Sequence, residues 1–314
     1  MTEPLERALE LAERGRGTTH PNPVVGAVVV RDGTVVGEGW HERKGGPHAE
    51  VNALAAAGER ARGATLYVTM EPCSHHGTTP PCTEAILRAG VSRVVAGSRD
   101  PHPGHGGGLE RLGAAGVEVE LAESFAARAQ NEAWRTWASL GRPFVTYKVA
   151  ATLDGRVAVP GSRWVTGEAS RRLVHELRAA ADAVAVGMGT VRADRPRLDA
   201  RDVGARRQPR RLAFGRGPLP AGSELELRPG ALRDELATLA SEGVQSLLLE
   251  GGPTLAAAFL AEDLVDRVLV FVAPRLAGSG PGVLASLPAA IELSRLEARS
   301  VGEDVLLSGY VHEP

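Results

Sequence analysis

Cysteine is scarce in this chain, since Cys73 and Cys82 are the only two in 314 residues. Two cysteines cannot form the disulfide framework of a small secreted protein, so their clustering with histidines favours metal binding or catalysis. Aromatic residues make up only 4% of the sequence, and the formal charge of -2 argues against a broadly basic nucleic-acid surface. The sequence therefore favours a small-molecule substrate over a nucleic acid.

Long apolar runs are also missing from the sequence. We find no stretch near the ~18 uninterrupted apolar residues of a membrane span, and no secretion signal at the N-terminus. We therefore expect a soluble, cytoplasmic protein without a membrane partner. Most histidines lie in the first third of the chain, and only His175 and His312 lie after it. We therefore expect metal chemistry in the N-terminal part.

The length suggests two domains, and the pattern of strands and helices predicts an α/β fold for both. The first domain is predicted to contain an opening helix, a hairpin around Asp32-Gly33, a helix over 48–63 and one helix over 125–140. We place the domain boundary at Gly141-Arg142-Pro143, giving domains 1–143 and 144–314. Five strands are predicted in the second domain, within FVTYKVAATLDG, ADAVAVGMGT, RRLAFG, VQSLLLEGG and RVLVFVAPRL.

The stretch EPCSHHGTTPPC holds both cysteines together with His75 and His76. Zinc prefers thiolate and imidazole, and a catalytic zinc keeps three protein ligands and one open position. His48, Cys73 and Cys82 supply such a set, with prolines placing His48 and Cys82 at helix starts. Because Glu50 lies about 200° from His48 on a regular helix, the two serve one site only beyond the helix end.

A carboxylate beside such a zinc can take a proton from a coordinated water and pass it to a leaving amine. The order H-A-E, P-C and a second cysteine is the signature of zinc deaminases. Two less specific interpretations remain open, namely a structural zinc with His75 or His76 as a fourth ligand, and His102 and His105 as surface histidines.

With its cysteines eight residues apart, and with PNPVVGAVV and HERKGGPHAE, the first domain closely resembles the deaminase half of the bifunctional riboflavin-biosynthesis deaminase/reductases. The resemblance implies a cytidine-deaminase-like three-layer fold, zinc on His48, Cys73 and Cys82, and Glu50 as the catalytic proton shuttle. It also implies five substrate-binding residues, which are Asn22, His41, Ser74, His75 and His76. Thr78 departs from the family, which commonly has arginine at that position.

The second domain resembles the reductase half of the same enzymes through KVAATLDGR, SRWVTG, VGMGTVRADRPRL and LLLEGGPTL. Alone, LLLEGGPTL is also consistent with a strand-to-helix turn that binds nothing. The resemblance implies a dihydrofolate-reductase-like fold, NADPH as cofactor and a homo-oligomer, with a dimer as the expected form. Lys148 is either catalytic or part of a structural salt bridge.

The remaining residues of the reductase site are likewise implied by the resemblance. The cofactor-binding set is Ala150, Trp164, Thr190, Asp194, Gly251, Gly252, Pro253 and Thr254. The substrate-binding set is Ser162, Arg178, Leu198, Arg201 and Glu250. Trp164 is equally consistent with a core position, and Arg171 and Arg172 read as a solvated helix face. Arg192, Arg195 and Arg197 are candidates for the 2'-phosphate of NADPH, and the segment between Arg201 and Val244 is shorter than the family's.

The resemblance of both domains implies zinc-dependent removal of the 2-amino group of 2,5-diamino-6-(5-phosphoribosylamino)pyrimidin-4(3H)-one, followed by NADPH-dependent reduction of its ribosyl chain. The product would be 5-amino-6-(5-phosphoribitylamino)uracil. Two rival classes are a nucleoside or tRNA deaminase with a binding platform, and a zinc-stabilised scaffold. The long cysteine spacing opposes the first, and Glu50 has no role in the second.

Overall fold

A computed structural model describes residues 2–77 and 80–314, and Thr78 lies outside the described residues. The chain forms two compact units, residues 1–140 with Pro314, and residues 141–313. Both units are α/β, as the sequence predicts. None of the described helices has the length and the apolar character needed to cross a membrane.

The first unit is built on a sheet of five strands in the order β2-β1-β3-β4-β5. β1 is antiparallel to β2 and β3, whereas β3, β4 and β5 are parallel. The strands are β1 (Gly26–Arg31), β2 (Thr34–Trp40), β3 (Thr65–Val68), β4 (Arg93–Ala96) and β5 (Glu118–Leu121). The helices are α1 (Glu3–Glu13), α2 (Ala49–Ala57), α3 (Cys82–Ala89), α4 (Gly108–Ala114), α5 (Phe125–Gln130) and α6 (Glu132–Leu140).

Helices cover both faces of this sheet, which gives the three layers that the sequence predicts. Ala8 and Leu11 of α1 pack on Val28, whereas α2, α3 and α4 pack on the opposite face. The helix that carries Glu50 lies very close to β2. A Cβ on Gly39 would stand 2.4 Å from the backbone nitrogen of Ala53, so only glycine permits this approach.

Two helix predictions for this unit were wrong in extent. The helix predicted over 48–63 ends at Ala57, because Gly58 takes a φ of 56°, and a 3-10 turn (Gly58–Ala61) follows. The helix predicted over 125–140 is interrupted at Asn131. Its buried side chain accepts a hydrogen bond from the backbone nitrogen of Val24 and donates one to the carbonyl of the same residue.

The second unit contains an eight-stranded sheet in the order β12-β13-β11-β6-β10-β7-β8-β9. Its central strands β11, β6, β10, β7 and β8 run parallel, and β12 and β13 form an antiparallel edge. The strands are β6 (Phe144–Thr152), β7 (Ala183–Gly187), β8 (Arg210–Phe214), β9 (Glu226–Arg228), β10 (Ser246–Leu249), β11 (Arg267–Ala273), β12 (Ser294–Val301) and β13 (Asp304–Tyr310). The helices are α7 (Glu168–Ala180), α8 (Met188–Asp194), α9 (Leu232–Ser241) and α10 (Pro253–Ala261).

The five strands predicted for this unit are all present, and β9, β12 and β13 were missed. The carboxyl ends of the adjacent parallel strands β6, β10 and β7 lie at one edge of the sheet, where α8 and α10 begin. This edge is where ligands bind in open parallel sheets.

Candidate zinc and nucleotide sites

His48, Cys73 and Cys82 converge in the first unit. Their ligand atoms all lie within 4.8 Å of one another. The Nδ1 of His48 is 3.2 Å from the Sγ of Cys82 and 3.5 Å from the Sγ of Cys73. Ordinary zinc bond lengths in a tetrahedral site place a nitrogen and a sulfur ligand about 3.6 Å apart. The donor set and its spacing therefore fit a zinc ion with three protein ligands.

Local structure explains how the three ligands come together. His48 precedes α2 in an extended conformation, and Cys82 is the first residue of α3. The backbone N–H of Cys82 points at the Sγ of Cys73, 3.3 Å away. Free N–H groups and the positive end of a helix favour thiolate here.

The two thiols are joined by a hydrogen bond. A hydrogen bond from the Cys82 thiol lowers the pKa of Cys73 to about 4, although burial opposes this. The pKa of Cys82 is raised by the same hydrogen bond and by burial. Since zinc ligands must be deprotonated, metal binding would displace the proton of this hydrogen bond.

Glu50 lies in the first turn of α2 and is only 3% exposed. Burial raises the pKa of its carboxyl, and the nearby His48 partly offsets this effect. The carboxyl also shares a hydrogen bond with the Cys82 thiol. Because His48 stands outside the regular helix, both residues reach one site, as the sequence analysis required. A buried carboxyl beside a zinc-type cluster is suited to proton transfer.

Asn22 and His41 border the same cluster. The Nδ1 of His41 donates to the carbonyl of Pro47 at 3.0 Å, which leaves Nε2 to accept from the Nδ2 of Asn22 at 3.3 Å. Burial lowers the pKa of His41. Its ring centroid is 5.4 Å from that of His48. Both residues thus stand beside the metal ligands as neutral hydrogen-bonding groups.

The loop after Cys73 is held by a second, glycine-rich loop over 100–107. Ser74 donates its hydroxyl to the carbonyl of Gly106, and His75 stacks on His105 with centroids 4.1 Å apart. His105 in turn stacks on His102 at 3.7 Å. His102 and His105, predicted as surface histidines, are partly exposed and stack on each other and on His75. His76 is mostly exposed and contacts Glu84 at 3.5 Å.

Sequence reasoning missed Glu71, whose side chain is 1% exposed. Its carboxylate accepts hydrogen bonds from the backbone N–H groups of Asp100, Gly107 and Leu109. Its position two residues before the predicted metal ligand Cys73 is the sequence feature that could have indicated a role at this site. Glu71 fixes the glycine-rich loop against the zinc loop.

In the second unit, Glu250 follows β10 and is the centre of an ion network. Lys148 on β6 contacts its Oε2 at 3.2 Å, and Arg178 on α7 donates from Nε and Nη2 at 2.6 and 2.9 Å. Burial alone raises the pKa of Glu250, but Lys148 and Arg178 outweigh it and hold the pKa at about 2. The three predicted residues are therefore together and charged.

The segment with Leu198 and Arg201 lies against this network. The carbonyl of Asp199 accepts from Arg178 at 3.2 Å, and the Asp199 carboxylate accepts from Arg201 at 2.6 Å. Leu198 is buried and has a φ of 55°. Its side chain packs in the core, so only its backbone is available to a ligand.

Trp164 is 46% exposed, which rules out the core interpretation. The guanidinium groups of Arg163 and Arg171 lie 5.0 and 5.2 Å from its ring centroid. Arg171, predicted with Arg172 on a solvated helix face, is partly exposed and also donates to the carbonyl of Thr166. Ser162 donates to the carbonyl of Trp164 at 2.8 Å.

The remaining predicted cofactor residues lie on α8, on β6 and in the turn into α10. Thr190 lies in α8, where its Oγ1 would be 3.5 Å from a Cβ on Gly252. Gly251, Gly252, Pro253 and Thr254 form the turn into α10, and Asp194 ends α8. Ala150 lies on β6, where it pairs with Phe271 of β11. Open N–H groups and bare glycines at adjacent helix starts fit the phosphates of a dinucleotide.

Of the three arginines considered for the 2'-phosphate, Arg195 and Arg197 line a cavity of about 240 Å³ together with Arg211. Arg192 instead donates to the carbonyl of Arg216.

These features define a class: a zinc-deaminase-type unit joined to a nucleotide-dependent reductase-type unit. Residues 2–98 match the family model for the cytidine and deoxycytidylate deaminase zinc-binding region, and residues 143–219 and 228–307 match that for the RibD C-terminal domain. The chain is 40% identical to the riboflavin biosynthesis protein RibD of Aquifex aeolicus over 96% of each chain. It is also 40% identical to RibD of Escherichia coli strain K12, over 96% of this chain and 97% of the relative.

The chain belongs to the RibD family. A solved diaminohydroxyphosphoribosylaminopyrimidine deaminase/5-amino-6-(5-phosphoribosylamino)uracil reductase from Thermotoga maritima superimposes with a TM-score of 0.81, at 35% identity and over 98% and 97% of the two chains. The family uses zinc in its deaminase unit and NADPH in its reductase unit, as the sequence analysis implied. The alignment with the Aquifex relative spans 342 positions, more than the 314 of this chain, so the relative contains segments that this chain lacks.

Proposed function

We propose that this chain carries out two consecutive steps of riboflavin biosynthesis. The first removes the 2-amino group of 2,5-diamino-6-(5-phosphoribosylamino)pyrimidin-4(3H)-one as ammonia. The second reduces the ribosyl chain with NADPH to give 5-amino-6-(5-phosphoribitylamino)uracil. The observation that carries the proposal is buried Glu50 beside the convergent His48, Cys73 and Cys82, in a chain whose second unit matches the RibD C-terminal domain.

For the deaminase step, we assign residues 1–143 and the zinc ligands His48, Cys73 and Cys82. The zinc ion, when bound, polarises a water molecule and lowers its pKa. Glu50 accepts the proton of that water and delivers it to the departing amine, while water oxygen replaces nitrogen on the ring. The raised pKa of Glu50 supports this role, because a carboxyl must be protonated for part of the cycle.

Substrate contacts in the deaminase unit follow from the same geometry. Asn22 and His41 stand beside the metal ligands and present hydrogen-bonding groups to a ring edge. Ser74, His75 and His76 belong to the adjoining loop, which supports a role in holding the phosphoribosyl part.

For the reductase step, we assign residues 144–314. NADPH, when bound, would supply the hydride that reduces C1' of the ring-opened ribose or its imine. Lys148 holds or donates a proton at the atom next to C1', and Glu250 keeps that ammonium group in place at 3.2 Å. Arg178 and Arg201 are suited to the substrate phosphate, because guanidinium donates paired hydrogen bonds to oxyanions.

The other assignments concern the cofactor and the surroundings. We assign NADPH contacts to Ala150, Trp164, Thr190, Asp194 and the Gly251–Thr254 turn, and substrate contacts to Ser162 and the backbone of Leu198. We also propose a cytoplasmic homodimer that binds no nucleic acid. Size-exclusion chromatography with light scattering tests the dimer.

The proposal is tested by incubating the chain with the diaminopyrimidine and NADPH, and following ammonia and NADPH together. We expect ammonia to appear before NADPH is consumed, in a final ratio of about one to one because each substrate molecule undergoes each step once. Cytidine and deoxycytidylate serve as comparison substrates. Ammonia release from either of them at the rate of the diaminopyrimidine would instead support a nucleoside or nucleotide deaminase.

A further inference from the structure

His175 on α7 lies within the ion network of the second unit. Its Nδ1 is 3.0 Å from the carbonyl oxygen of Asp199, and Arg178, one helical turn later, donates to the same oxygen at 3.2 Å. The backbone nitrogen of Arg201 is 3.4 Å from this Nδ1. The imidazole therefore contacts the segment that links the two arginines assigned to the substrate phosphate.

The contact with Asp199 fixes the tautomer of His175. A carbonyl oxygen only accepts hydrogen bonds, so Nδ1 carries the hydrogen. The backbone N–H of Arg201 is farther away, and it cannot donate to an Nδ1 that is itself a donor. Nε2 then holds the lone pair. Among the residues that the structure describes, none forms a hydrogen bond with this Nε2. His175 can thus gain a proton at Nε2 without losing its bond to Asp199.

Charges around His175 come from its own helix, from the 197–201 segment and, through Arg178, from Glu250 and Lys148. Arg178 is paired with Glu250, which also holds Lys148, and Arg201 is paired with Asp199. These three cations and two carboxylates leave one positive charge. Arg197, whose side chain is 71% exposed, reaches Asp199 at 3.4 Å and is screened by solvent.

In the free protein His175 is neutral at pH 7. Burial lowers the pKa of its imidazole, as do Arg178 and Arg201, and the nearby Asp199 only partly offsets them. A phosphate monoester carries nearly two negative charges at this pH. A phosphate bound between the arginines would offset their positive charge and so raise the pKa of His175.

We propose that His175 is a third phosphate-binding residue of the reductase unit, which gains a proton at Nε2 from solvent and donates a hydrogen bond from Nε2 to the phosphate monoester of the substrate. This inference rests on the proposed function. The added proton brings the charge of the network to two, matching that of the ligand. Because protonation accompanies binding, the contribution of His175 to the affinity falls as pH rises through the pKa of His175 in the complex.

The test is isothermal titration of the full chain with D-ribose 5-phosphate at pH 7, in two phosphate-free buffers of different ionisation enthalpy. The dependence of the heat on the buffer gives the number of protons taken up. His175→Asn is the informative variant, because its amide keeps a donor for the Asp199 carbonyl but does not titrate. His312→Asn is the matched control, since His312 is the other histidine of this unit and contacts Asp263.

We expect the wild-type chain and His312→Asn to take up more protons than His175→Asn, with the difference approaching one per site. We also expect His175→Asn to bind about tenfold more weakly at pH 6.5, the loss of one charge-assisted hydrogen bond. Any ribose 5-phosphate bound by the deaminase unit contributes equally to all three chains and cancels in the comparison.

Equal proton uptake by His175→Asn and the wild-type chain would overturn the inference, and so would the absence of ribose 5-phosphate binding. A parallel titration with adenosine 2',5'-bisphosphate separates the two phosphate sources. If that ligand alone shows uptake dependent on His175, the phosphate is the cofactor's and the assignment to the substrate is wrong. NADPH oxidation with the aminopyrimidine substrate tests the proposed function independently of these outcomes.

Discussion

The zinc site takes its donors from positions at most 34 apart, whereas Lys148 and Glu250 of the reductase site are 102 positions apart. The two sites also differ in whether their charged groups have partners within the protein. Cys73, Cys82 and Glu50 are anionic or hydrogen-bonded acidic groups that a cation would complete. In the reductase unit, Glu250 already has Lys148 and Arg178. We infer that the first site depends on its metal for structure, whereas the second is formed before its ligands arrive.

The largest effect is expected from Cys82→Ser. Removing one of three zinc ligands should reduce the metal content from about one zinc per chain to nearly none, and abolish ammonia release. Metal analysis after dialysis measures the content. His76→Asn is the control, because His76 is exposed and should leave the zinc in place. A full zinc equivalent in Cys82→Ser would mean that the ligand set is wrong and would point to His75 or His76.

Glu50→Gln separates proton transfer from metal binding. We expect ammonia release to fall by about 10²- to 10⁴-fold, the usual contribution of a general acid and base, with zinc retained. NADPH oxidation with the deaminated intermediate should be unchanged. Exposed Glu59 in the 3-10 turn supplies the control variant Glu59→Gln. Full ammonia release from Glu50→Gln would remove Glu50 from the mechanism.

Glu250→Gln tests the preformed network of the second unit. Loss of the carboxylate leaves Lys148 and Arg178, whose side chains are each only 14% exposed, without their partner, which should lower the free energy of unfolding by about 3–5 kcal/mol. Hydrogen–deuterium exchange in β6 and β10, measured as a function of urea, reports on this unit. Glu176→Gln, on the exposed side of α7, should change little. Equal stability of both variants would contradict the account.

The same network predicts the response of the second unit to acid. The pKa of Glu250 is about 2 in the folded chain, against an ordinary 4.5, so its contribution to stability is present above pH 4.5 and lost as pH falls towards 2. Exchange in β6 and β10 should therefore accelerate across this window. Glu250→Gln should show less pH dependence there. An identical acid response in the variant would assign the effect to another group.

The smallest expected effect concerns the contact between the Arg171 guanidinium and the Trp164 ring. Removing the Arg171 guanidinium should weaken NADPH binding by about threefold to tenfold, the size of a partly exposed cation–π contact. The change in the fluorescence of the four tryptophans during NADPH titration gives the dissociation constant. Arg172→Ala is the matched control, because Arg172 pairs only with Glu176 among the described contacts of its side chain. Equal affinities would show that Arg171 does not position the indole.

The zinc site could be predicted from the sequence because a metal ion restricts both the residue types of its ligands and their spacing. His48, Cys73 and Cys82 converge as predicted. The interruption at Asn131 was not readable, since its cause is a pair of hydrogen bonds to Val24, 107 positions away. The β12 strand was missed because its central residues are exposed on both faces, so the strand lacks the alternation of a half-buried strand.

The reductase site could be predicted from the sequence only in part. Resemblance supplied Lys148, Arg178 and Glu250, but their mutual contacts follow from strand order in the sheet rather than from spacing in the sequence. His175 and Arg171 carry no motif of their own. Their roles appear only when α7 is packed against the 162–166 and 198–201 segments.

The central claim is that two chemically separate sites act in sequence and that only the first requires zinc. The most direct test removes zinc with a chelator and offers NADPH with either the diaminopyrimidine or its deaminated product. The account predicts that NADPH oxidation is lost with the diaminopyrimidine and continues at the untreated rate with the deaminated product. Oxidation of NADPH with the diaminopyrimidine in the zinc-free protein would contradict it.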